Sequence, residues 1–183
     1  MNPMRLNKRK KLDWIELWIN KCDYIDSYYE NVKGKCKTID ESIDYYIAMI
    51  QMAIYYLRDY SNYYDYVYVQ HNIILKSEMI IKEDVKERDF AEYLKYLFYT
   101  NCDINYIKNL INKYYRKFNY YLVIARLIFP SYYLYYLEKV IVSKDGFAEL
   151  KRIVDMTSEY ETFLKLIASK MNEYLSKKIV LPF

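Results

Sequence analysis

Apolar positions recur along this chain at helical spacing over most of its length, and that pattern predicts a mainly α-helical protein. From Lys8 to Cys22 one side of a helix carries Leu12, Ile15, Trp18, Ile19 and Cys22, with Trp14 beside them. Lys33-Gly34-Lys35 predicts a turn, because glycine tolerates positive φ at little cost. Thr38 stands three residues before Glu41, the spacing of a capping box. The helix it opens buries Ile39, Ile43, Tyr46, Ile47, Ile50, Ile54 and Leu57 and ends at Ser61-Asn62.

The period then changes once. Tyr66-Val67-Tyr68-Val69 and Met79-Ile80-Ile81 are β-branched and aromatic runs about a polar turn at Lys76-Ser77-Glu78, which predicts one small β hairpin packed on helices. Helical period returns with a charged lead-in from Glu83 and the stripe Phe90, Leu94, Leu97 and Phe98. Asn101–Asp103 is a break, and Ile104, Ile107, Ile111, Tyr114 and Phe118 form the next stripe. Tyr120–Phe129 is apolar nearly all round, which predicts a buried central helix. Pro130 interrupts it, since proline has no N–H to donate and clashes with the preceding turn. A continuation runs to Val142, a turn follows at Asp145-Gly146, and Leu150, Ile153 and Val154 mark a short stripe. Ser158 and Glu161 are spaced as a second capping box, opening a helix that buries Tyr160, Phe163, Leu164, Ile167, Met171 and Leu175. The expected organisation is one helical domain, 1–183. It has a loose start at 1–7, helices over 8–62, the hairpin within 63–82, helices over 83–176 and a tail at 177–183.

Composition narrows the functional classes. Hydrophobic residues make up 54% of the 183 residues, enough for a full core. The 26 tyrosines must serve largely as apolar filler whose hydroxyls each need a partner. Cys22, Cys36 and Cys102 are far apart, His71 is the sole histidine, and no zinc site of usual spacing can be written. The basic run Arg5–Lys11 is followed by no apolar segment of signal-peptide type. Arg126 and Pro130 interrupt the Tyr120–Leu137 zone, so no membrane span is expected. The net charge of +4 comes from cations scattered along the sequence, so no nucleic-acid partner is expected either. Arg126 on so apolar a helix needs a carboxylate, with Asp89 first and Glu92 second as candidates.

Several motifs in order carry a resemblance. They are Leu12-Asp13-Trp14-Ile15-Glu16-Leu17-Trp18, Glu41-Ser42-Ile43-Asp44-Tyr45-Tyr46, Arg88-Asp89-Phe90-Ala91-Glu92-Tyr93, Ala125-Arg126-Leu127-Ile128-Phe129-Pro130-Ser131-Tyr132-Tyr133 and Ser158-Glu159-Tyr160-Glu161-Thr162-Phe163-Leu164. Together they resemble the C-terminal lobe of the spore-coat-associated kinase-like proteins of endospore-forming bacteria (CotS and YutH type), a branch of the aminoglycoside-phosphotransferase-like kinases. The resemblance implies a kinase-like fold, a cytoplasmic or spore-coat location and a vestigial nucleotide and metal site at His71, Glu78 and Asp84. It implies doubtful catalysis, and this chain departs from the family by lacking the N-terminal lobe and the catalytic aspartate: Ile73 stands where that base belongs and cannot accept a proton. Gly34 and Gly146 are the only glycines, so no glycine-rich phosphate loop can be written. No catalytic residue and no cofactor is therefore expected. The first functional reading is a non-catalytic helical domain that binds protein, itself included, at the face an N-terminal lobe would cover. Trp14, Trp18, Ile73 and Ile74 are the interface candidates there. Two alternatives stand beside it: the C-lobe of a split phosphotransferase using ATP and magnesium, and an unrelated all-helical interaction protein.

Overall fold

A computed structural model describes residues 8–34, 36–60, 66–75 and 78–181. The chain is mainly helical. β1 (Lys8–Lys11) leads into α1 (Trp14–Val32) and α2 (Lys37–Asp59). β2 (Tyr66–Leu75) and β3 (Glu78–Asp84) follow, and then α3 (Lys86–Tyr99), α4 (Ile104–Tyr114) and α5 (Tyr120–Ile128). α6 (Ser131–Ser143), α7 (Phe147–Asp155) and α8 (Thr157–Asn172) complete the order. Among the described residues no helix is long and apolar enough to cross a membrane.

The strands depart from expectation. In place of a two-stranded hairpin there is a three-stranded antiparallel sheet, ordered β1-β2-β3. Lys8–Lys11, expected in the first helix, instead pairs with the start of β2, Lys8 opposite Val69 and Lys11 opposite Tyr66. Four consecutive basic residues have no apolar member to place against a helical core, whereas strand pairing needs only their backbone groups. The first helix therefore starts at Trp14, and it runs past Cys22 because Ile25 extends its buried stripe.

Both predicted capping boxes shift as well. The residue preceding α2 is Cys36, and Thr38 lies inside the helix, where its carbonyl accepts from Ser42 Oγ at 2.6 Å. α8 is preceded by Met156, so Ser158 is already helical. Asp103 and Asn119 are the side chains that do cap, accepting from the backbone N–H of Asn105 and Tyr121.

α5 is the centre. Leu122, Val123, Ile124, Ala125, Leu127 and Ile128 are buried, with α2, α3 and α8 packed around them. Tyr46, Tyr60, Tyr120, Tyr121, Tyr133 and Tyr160 fill this core as apolar bodies with hydrogen-bonded tips. Tyr160 donates to Leu127 O at 2.7 Å, Tyr121 to Lys177 O at 3.0 Å, and Tyr120 to Ile111 O. Tyr46 and Tyr133 stack at 3.7 Å, and their hydroxyls meet Thr157 and Ser42. Burial pushes the Tyr133 and Tyr160 phenols up from their ordinary range. Glu87, buried at the start of α3, accepts from the Asn119 backbone N–H at 3.0 Å and so fixes the entry to α5.

Candidate interaction groove

Pro130 organises the most distinctive part of the surface. α5 ends at Ile128, and α6 restarts at Ser131 in a new direction. Phe129, at the corner, is stacked on Trp18 at 4.6 Å, and Trp18 is stacked on Trp14 at 5.4 Å. These three rings floor an open groove of about 570 Å³ between α1, the start of α6 and the β3–α3 junction. Leu17 and Tyr135, 53% and 55% exposed, stand on its rim. Lys21 and Glu138 close one end with an ion pair of 3.1 Å between α1 and α6.

At the β3–α3 junction, Asp84 holds three donors. Its Oδ1 accepts from Trp14 Nε1 at 3.0 Å and from the Val85 backbone N–H at 2.7 Å. Its Oδ2 lies 3.3 Å from Arg88 Nη1. The carboxylate expected at a vestigial metal site therefore ties α1 to the start of α3. His71 and Glu78 lie on β2 and β3, with side chains outside the described residues. Among the described residues no group of His, Cys, Asp or Glu is placed to hold a metal ion.

Under the groove lies a buried charged cluster that the sequence reading reached only in part. Arg126 pairs with Glu92, Nε to Oε1 at 2.7 Å, which corrects the expectation of Asp89. Arg126 sits on the last turn of α5, level with Glu92, whereas Asp89 lies one turn back, beside Arg88 and Asp84. The guanidinium also packs 4.9 Å from the centre of the Phe129 ring, a cation–π contact. Ser131 Oγ reaches both Glu92 oxygens at 2.9 Å. Lys95, only 2% exposed, donates to Phe129 O at 2.7 Å and Ser131 Oγ at 2.8 Å, and lies 3.4 Å from Glu92. Burial pushes the Glu92 pKa up, but the charges of Lys95 and Arg126 and the Ser131 hydrogen bond outweigh it and hold it down to about 2. Burial pulls the Lys95 ammonium down to about 7 against the pull of Glu92.

The interface candidates divide. Trp14 and Trp18, expected to be exposed, capped by the N-terminal residues or buried against another chain, are 2% and 3% exposed. Phe129 and Asp84 within the same chain cover them, since each ring finds a stacking partner and the Trp14 N–H finds an acceptor. The side chains of Ile73 and Ile74 lie outside the described residues. Leu17 and Tyr135 are the apolar groups the groove presents instead, and sequence reasoning missed both because each falls off its helix's buried stripe. No family model, curated protein or solved structure matches this chain.

Proposed function

We propose that the chain is a non-catalytic helical domain that works by binding protein through the α1–α6 groove, and that a second copy of the chain is its occupant. The observation that carries the reading is the rim: Leu17 and Tyr135 stand exposed over a wide groove whose floor is already packed. The groove is also bordered by both signs of charge, Asp13 and Glu138 with Lys21 and Arg88. These charges are largely paired within the chain, Lys21 with Glu138 and Arg88 with Asp84, so the same face on a second copy can meet the apolar rim without unpaired like charges, as an isologous dimer requires. The kinase-like C-lobe and its spore-coat setting belong to the proposal as its frame. Their support is the Trp14–Asp84 bond, which joins the 12–18 segment to the turn before α3 on the face the resemblance assigns to an absent lobe.

Light scattering across a concentration series tests the reading. The chain is expected to exceed its 22.6 kDa monomer mass as concentration rises. Leu17→Glu and Tyr135→Glu, both at exposed positions, should return it to monomer with unchanged circular dichroism. A monomer at every concentration overturns self-association. Magnesium-dependent ATP turnover, lost in Asp84→Asn, would replace it with the split phosphotransferase.

A further inference from the structure

The tertiary fold gathers cations that the sequence scatters. Lys113 and Lys117 lie 5.3 and 5.2 Å from the Tyr114 ring centre, and Lys86, from the start of α3, lies 5.6 Å from that of Phe118. Tyr114 and Phe118 are themselves in edge contact at 6.0 Å. Next to them, Arg116 packs 5.2 Å from the Tyr115 ring, Tyr115 stacks on Tyr174 at 4.5 Å, and Lys170 lies 5.9 Å from Tyr174. The end of α4 thus carries two aromatic pairs with basic groups around them, Tyr114–Phe118 beside the start of α3 and Tyr115–Tyr174 beside the end of α8. Lys170 is paired with Glu173 at 2.5 Å. Lys86, Lys113, Arg116 and Lys117 are exposed and form no ion pair among the described residues.

A cation near the last turn of a helix complements the helix dipole, and one such residue is enough for that at α4. Lys86 has the Glu87 carboxylate beside it, but Lys113, Arg116 and Lys117 form no ion pair among the described residues and repel one another, which makes a partner rich in negative charge the complement. Resting on ring faces, these side chains are partly ordered before any partner arrives, so less entropy is lost on contact.

We infer that this end of the molecule binds the phosphate backbone of a nucleic acid without reading its sequence. Two features select that partner over a lipid surface or stacked bases. The exposed apolar groups among these cations are Tyr115 and Tyr174; α4 exposes no Leu, Ile, Phe or Trp, and Leu166 of α8, one turn before Lys170, is a single leucine rather than an apolar face that could enter a bilayer. The ring faces are taken by cations and by each other, so bases have no free platform on which to stack. Phosphate contacts alone position a partner without specifying sequence. This surface lies apart from the α1–α6 groove and stands or falls independently of it.

Fluorescence anisotropy with labelled DNA oligonucleotides of two unrelated sequences provides the test. Both should bind at low salt with equal affinity, and log K should fall linearly with log salt concentration. Lys113→Glu combined with Lys117→Glu should weaken binding by about tenfold or more and flatten the salt slope by about one per lost contact. Lys151→Glu, exposed on α7, should leave binding unchanged. Circular dichroism confirms that the exposed substitutions leave the fold intact. Failure to bind at low salt, or equal binding by the double variant, overturns the assignment. So does capture by phosphatidylserine vesicles but not oligonucleotides, or equal affinity for polyglutamate at the same salt.

Discussion

Lys95 Nζ lies 2.7 Å from the carbonyl oxygen of Phe129, a bond that joins the middle of α3 to the corner made by Pro130. The corner explains the lysine. Where a helix ends at a proline, its last carbonyls lose their intrahelical donors and need others. Lys95 supplies one from the neighbouring helix. Its charge is offset by Glu92, which is shared with Arg126 and Ser131.

Breaking this cluster one member at a time should be costly. Arg126→Met and Glu92→Gln are each expected to destabilise by about 3 kcal/mol in urea denaturation, because the first takes from Glu92 the closer of its two cations and the second strands Arg126 and Lys95 together. The double variant should lose clearly less than the two losses added together. Asp89→Asn should cost less than about 1 kcal/mol, since Arg126 is held by Glu92. Additive losses would count against a shared network.

Lys95 also predicts how stability depends on pH. Its pKa falls from 10.5 in the unfolded chain to about 7 in the fold, so between those values the unfolded state binds the extra proton. Stability should therefore rise with pH across that window, at up to about 1.4 kcal/mol per unit from this group. Above pH 10 the trend should reverse, because buried phenols such as Tyr133 and Tyr160 stay protonated while their unfolded counterparts ionise. Lys95→Met should abolish the rise and keep the alkaline loss, as followed by thermal melts from pH 7 to pH 11.

Acid should act through Glu92. Its pKa is held down to about 2 from 4.5, so its contribution is complete above pH 4.5 and is lost as pH falls toward 2. In acid titrations Glu92→Gln should be less sensitive to pH than the wild type between pH 4.5 and pH 2.

Asp84 should prove to be a tie between elements. Asp84→Ala removes the acceptor of Trp14 Nε1 and the partner of Arg88, at an expected cost of roughly 1–3 kcal/mol. A red shift of tryptophan emission should accompany it as water reaches the indole. Unchanged emission and stability would show that the Trp14–Asp84 bond contributes nothing.

Sequence alone determined whatever depends on one element's own periodicity. The stripe Ile39, Ile43, Tyr46, Ile50 and Leu57 marked the buried face of α2, and the all-apolar run after Asn119 marked α5 as central, because burial on a helix follows a 3.6-residue period. Pro130 marked the break between α5 and α6, because its effect on the backbone is local. Relations between elements were decided by the tertiary structure. Nothing in the period of α3 singles out Lys95, whose burial rests on partners that folding brings to it: the carbonyl of Phe129, 34 positions away, the Ser131 hydroxyl and the Glu92 carboxylate. The choice of Glu92 over Asp89 for Arg126 turned on the relative height of α3 and α5, which no periodicity encodes. Trp14 and Trp18 were recognisable as apolar, but Phe129 and Asp84 decided that they would be covered within the chain. The strand at Lys8–Lys11 exists because β2 offers it an edge, and the basic end exists because α3, α4 and α8 converge there.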